Sequence, residues 1–145
     1  MKRLSLIFFF LFAAYSTSFC QETKHPIDIE TETCMEKDPS TMAMIECSRV
    51  AGEKWDAEMN KYYNLLLSKL GEDAKTSLRD SQRMWLDYRD AEYKAIDDYY
   101  SYIYDQAGGG TMYSMMQAGA RMEVVRKRAL EIISYYEMVG EFLGK

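Results

Sequence analysis

The chain has almost no histidine. Its single His25 lies in a polar stretch, so neither a Ser–His–Asp centre nor a His-based zinc site has material to form. Proline is nearly absent, with 2 residues in 145, and glycine is concentrated towards the C-terminal end. Many strands joined by Gly/Pro turns are therefore disfavoured, and helices are favoured. An excess of cations is missing too. The formal net charge is −5, which argues against a nucleic-acid partner. Only one long apolar run exists, residues 4–14, and it is too short to span a bilayer. Cysteine is sparse at 3 residues, and one of them, Cys20, lies close behind that run.

What is present describes one folded domain. The composition is 48% hydrophobic and 28% charged, with 12 tyrosines and 11 methionines, and the length suits a single core. Lys2 and Arg3 precede the apolar run, and Ser18 and Cys20 are small residues placed for cleavage after Cys20. Residues 1–20 read as a secretory signal peptide and 21–145 as the mature domain, exported to the periplasm or secreted. Losing Lys2 and Arg3 takes the formal charge from −5 to −7. The alternative is a lipid anchor on Cys20; Phe19 before it, where a small residue is usual, argues against that. Export means an oxidising compartment. Cys34 and Cys47 then remain as an even pair, which argues for one disulfide. A reactive thiol is the weaker reading, because neither has a histidine neighbour in sequence.

Residues 21–33 contain Pro26 and read as an extended leader. Asp38, Pro39 and Ser40 make a helix start. A first helix over residues 40–70 buries Ile45, Ala51, Trp55, Met59, Tyr62, Leu66 and Leu70 at helical spacing, and Gly71 reads as its C-cap. A second helix covers 72–106. Gly108, Gly109 and Gly110 break the chain. A third starts at Thr111, with Met115, Met122, Val125, Ala129, Ile133 and Tyr136 on its apolar face, and Gly140 is expected to close it. The fold class is all-α: a long helical hairpin, a third C-terminal helix and one N-terminal disulfide.

The second helix carries an unusual stripe. Leu78, Gln82, Trp85, Arg89 and Tyr93 fall on one side at about 100° per residue, mixing large apolar groups with an amide and a guanidinium. Polar groups on such a stripe need partners. The short turn at Gly71 makes the first two helices antiparallel, which sets Asn60 opposite Gln82 and Asp56 opposite Arg89. An Asp56–Arg89 ion pair across the hairpin is expected, with Asn60 and Gln82 bonded nearby and Trp85 packed over them.

These residues give the chain a resemblance. Asp56, Met59, Asn60 and Tyr63 fit a D-x-x-L-N-x-x-Y pattern. Gln82, Trp85, Tyr88, Arg89 and Asp90 fit Q-x-x-W-x-x-Y-R-D. With the Cys34/Cys47 pair and a Gly-rich break before a last helix, the chain resembles the LprI-like lysozyme-inhibitor N-terminal domain family across most of its mature length. Members often carry a further cysteine pair, after the R-D dipeptide and early in the last helix. Tyr93 occupies the first place, and no cysteine lies near Gly119, so the third helix is expected to be held by packing alone and to be looser.

The resemblance implies a small exported helical domain that acts by protein contact, with lysozyme or another envelope or host protein as partner. The charge of the mature domain would steer it towards a basic lysozyme. Tyr99, Tyr100, Tyr102 and Tyr104, with Gly109 in the following loop, are the candidate contact surface, since tyrosine is favoured at interfaces; the plainer reading is that they pack the last helix. A structural or stress-related envelope protein without inhibitory activity is the alternative function. No nucleophile–base arrangement is visible, and paired acids such as Asp97 and Asp98 look like solvated helix faces, so the chain reads as a non-enzyme. No cofactor or metal is expected; methionines at helical spacing are core residues more often than soft-metal ligands.

Overall fold

The computed structural model describes residues 24–143, and the signal peptide reading of residues 1–20, Cys20 included, lies outside them. Within the described residues the chain is all-helical: α1 (Pro26–Lys37), α2 (Thr41–Lys69), α3 (Glu72–Gln106) and α4 (Thr111–Leu143). The hairpin and the last helix fall where the pattern places them.

Three expectations are corrected. The supposed extended leader is helix α1. Pro26 takes a first-turn position, where its missing N–H costs nothing, and the His25 side chain accepts from the Ile27 N–H as N-cap. Pro26 thus starts a helix rather than lying in an extended segment. Gly71 is not a left-handed cap either; its φ is −73° and it is the N-cap of α3. The helix past Gly140 also continues to Leu143.

The pairing of helices follows from a few contacts. Thr41 lies against Thr111 at 3.4 Å, Gly52 against the backbone of Met122, and Tyr62 against Tyr136 with ring centroids 5.3 Å apart. Residue numbers rise together, so α2 and α4 run parallel; α3 runs antiparallel to both. The closest helix–helix packing is α4 on α2, followed by α4 on α3 and α1 on α2. The core is Trp55 and Met59 from α2, Val125, Ala129 and Ile132 from α4, and Ile27 from α1. Gly52 has only a hydrogen where a Cβ would meet Met122 at 3.8 Å, so the two backbones come close there.

α1 lies across this core. The Cys34–Cys47 disulfide joins it to the start of α2, with Cα atoms 5.9 Å apart. At its other end the His25 ring stacks 4.4 Å from Trp55, and Arg126 of α4 donates two hydrogen bonds to Asp28 at 2.8–2.9 Å. The last helix is not loose. Arg121 donates to Asp97 at 2.7–2.8 Å, Gln117 donates to the same carboxylate, and the Arg121 guanidinium sits 4.2 Å from the Tyr93 ring. Charge and cation–π contacts connect α3 and α4 around Tyr93.

Candidate functional site

The motif residues face one another across α2 and α3 without forming the expected ion pair. Arg89 donates through Nε and Nη2 to Asp90, its neighbour in sequence, at 2.7–2.9 Å. Asp56 accepts from the side chain of Asn60 one turn along, at 3.0 Å. The reason is the last helix: α4 packs deep against α2, so the walls of the hairpin stand apart and each polar group takes its nearest local partner. The antiparallel register itself is right, since Gln82 Nε2 lies 3.6 Å from Met59 Sδ.

The buried charge on this axis belongs to Arg128 of α4 instead. It is 6% exposed, donates to Gln82 at 3.1 Å, to Ser81 at 3.2 Å and to Glu131 at 2.6 Å, and lies 5.9 Å from the Trp85 ring. Burial pushes the Glu131 carboxyl up, and hydrogen bonds from Tyr135 and Arg128 outweigh it, so it lies below the usual range. Arg128 was missed because it sits in the run Arg126-Lys127-Arg128, which looks solvated. Its spacing was the signal: three residues after Val125 and four before Ile132, it falls on the apolar stripe.

The walls enclose an open groove. Its upper part, about 540 Å³, is lined by Asp56, Arg89, Tyr93, Arg121, Met122 and Val125 among others. Its lower part, about 440 Å³, runs past Asn60, Tyr63, Gln82 and Arg89. Gln82 is buried, Tyr63 and Trp85 pack on the core, and Asn60, Asp90 and Tyr88 are exposed. Tyr88 borders a different groove, between α3 and α4.

The other candidate surface is the end of the bundle where α3 turns into α4. Gly108, Gly109 and Gly110 all have positive φ, at 76°, 95° and 132°, which side chains rarely adopt. The Gly109 N–H donates to the Tyr104 carbonyl at 2.9 Å, and a Cβ on Gly109 would stand 3.4 Å from the Tyr104 hydroxyl. The loop thus folds back onto Tyr104. Tyr102 is 65% exposed and Tyr99 and Tyr104 each 45%; Ile103, Met112 and Met116 are exposed beside them. Tyr100 is half-buried, its ring 4.6 Å from Tyr99. Between Ala95 and Ala120 the chain has Asp97, Asp98 and Asp105 and no Lys, Arg or His. The Arg121 and Gln117 hydrogen bonds hold the Asp97 carboxyl below its usual range. Lys94 pairs with Asp98 as Arg121 does with Asp97, so this aromatic, methionine-rich end keeps Asp105 as its acid without an ion pair among the described residues. Among the described residues no group of three or more His, Cys, Asp or Glu converges as a metal site, and no helix is long and apolar enough to cross a membrane.

Comparison with known proteins agrees with the residues. The family model described as "Lysozyme inhibitor LprI" matches residues 34–132. An uncharacterized protein of Rhizobium meliloti is 31% identical over 90 residues, covering 53% of this chain and 60% of that protein. The crystal structure of an uncharacterized protein from Burkholderia thailandensis superposes with a TM-score of 0.69 at 29% identity, over 81% of this chain and 57% of that one. The chain therefore spans somewhat over half the length of these two relatives.

Proposed function

The chain belongs to the lysozyme inhibitor LprI family, and from that premise we propose that it is an exported binding module that captures a basic protein, a lysozyme foremost, by its tyrosine-rich end. The observation that carries the reading is the combination at that end. Exposed Tyr99, Tyr102 and Tyr104 and the methionines beside them supply apolar contact area, while Asp105 supplies negative charge beside Asp97 and Asp98, which are paired with Arg121 and Lys94. Tyrosine gives a large, rigid contact at low entropic cost, and local negative charge both steers and selects a cationic partner. Inhibition would follow from occlusion of the enzyme's cleft, with no chemistry by this chain. The signal peptide reading of residues 1–20 supports export and places the domain where such an enzyme acts.

A turbidity assay tests this. The mature protein should slow lysis of a bacterial suspension by a C-type lysozyme, in proportion to the fraction of enzyme bound. Lysis at an unchanged rate with inhibitor in large excess would refute inhibition and favour a structural envelope role.

A further inference from the structure

The groove between α2 and α3 takes no part in the contact surface described above, yet its polar groups are incompletely used. Arg49 is fully engaged, giving Nε, Nη1 and Nη2 to Glu46 and Glu53. Arg89 and Arg121 are not. Arg89 uses Nε and Nη2 on Asp90, which leaves Nη1. Arg121 uses only Nη1 on Asp97, which leaves Nε and Nη2. Both guanidiniums flank one ring, lying 5.9 Å and 4.2 Å from the centroid of Tyr93. Both acids that hold them sit on the same side chains' other edges, so they fix the guanidiniums without exhausting their donors. The Tyr93 hydroxyl makes no hydrogen bond among the described residues, and burial, foremost, raises its pKa, so it stays a donor at neutral pH. Beneath these groups the floor is apolar, from Met122 and Val125. On the facing wall stand Glu53, bonded to Arg49, and Asp56, whose carboxylate accepts only from Asn60.

We propose that this groove is a binding site for an amphipathic monoanion, a carboxylate carried on an apolar body. Arg89, Arg121 and the Tyr93 hydroxyl hold the carboxylate, and Met122 and Val125 receive the body. Two guanidiniums and a phenol lining one groove are the donor types that bind a planar carboxylate, and the volume of about 540 Å³ lies in the range of small-molecule sites. The nearby Asp56 carboxylate selects one negative charge over two, because a dianion is repelled more strongly.

Octanoate is the probe, with octyl phosphate and inorganic phosphate as comparisons, titrated into the isotope-labelled domain and followed by amide chemical shifts. Octanoate should give saturable shifts confined to Gly52, Arg89, Tyr93, Arg121 and Met122. Arg121→Gln should weaken it about tenfold. Because Arg121 also bonds Asp97, Tyr93→Phe serves as a second variant that keeps the ring; it should weaken binding roughly threefold with an unchanged melting temperature. Asp56→Asn should improve octyl phosphate relative to octanoate. Shifts that never saturate, that spread to α1 or the glycine loop, or that ignore both Arg121→Gln and Tyr93→Phe would overturn the site. Inorganic phosphate binding as tightly as octanoate would overturn the assignment of the apolar floor.

Discussion

Arg128 and Arg89 lie near the same tryptophan, 5.9 Å and 5.7 Å from the Trp85 ring, and differ in what they hold. Arg128 is buried and is the partner that satisfies Gln82. Its removal would strand a buried amide and leave a void beside Trp85. Arg128→Ala should cost about 3 kcal/mol and lower the melting temperature by roughly 10 °C in a domain of this size. Arg89 pairs only with Asp90, whose side chain is 67% exposed, and such pairs are worth under about 1 kcal/mol. Arg89→Ala should therefore barely move the melting temperature. Circular dichroism melts of the two variants check both, and equal losses would contradict the assignment. Asp97 adds a pH dependence. Its folded-state pKa lies below its usual value, so its contribution is complete above the usual carboxylate range and is lost as pH falls through the lowered folded value. The pair is about two-fifths exposed, which limits it to under about 1 kcal/mol. Melts between pH 5 and pH 2 should show a slope that Asp97→Asn reduces; a slope unchanged in the variant would place the dependence elsewhere.

At the scale of the element, α1 is held by the disulfide at one end and by His25–Trp55 and Asp28–Arg126 at the other. The cross-link closes a separation of 13 residues, worth about 3 kcal/mol in the chain-entropy model. Reduction should expose α1 amides to hydrogen exchange well before those of α2 and α4, and thiol titration of the oxidised protein under denaturant should find no free thiol among Cys34 and Cys47. Uniform loss of protection across all four helices would mean α1 is part of the core's cooperative unit. The same elements show what could be read in advance. Periodicity placed α2 and the start of α4, because Trp55, Met59 and Leu66 recur at helical spacing and three glycines interrupt the pattern. It could not place α1, where Pro26 serves either a turn or a first helical turn, and the outcome depends on the His25 cap. The motif residues of α2 and α3 were found, but not their partners. Local register pairs Asp56 with Arg89, while the wedge of α4, a long-range effect, separates them and brings Arg128 to Gln82. The tyrosines were identified as candidates; which of them stay exposed depends on the backward fold of the glycine loop onto Tyr104.

For the whole molecule, sign and position of charge decide what partner is expected. The aromatic end carries Asp105 together with Asp97 and Asp98, which pair with Arg121 and Lys94, whereas the guanidiniums gather in the groove and along α4. A basic partner should then associate faster at low salt, with the rate falling as ionic strength shortens the screening length to about 8 Å. The central claim is that the tyrosine end is the contact. Calorimetric titration of a C-type lysozyme with the oxidised mature protein and with Tyr102→Ala/Tyr104→Ala measures it directly. The account predicts saturable binding by the unaltered protein and binding at least about tenfold weaker by the double variant, at an unchanged melting temperature because both rings are exposed. Equal affinity of the two proteins, or no heat of binding from the unaltered protein at low salt, would contradict it.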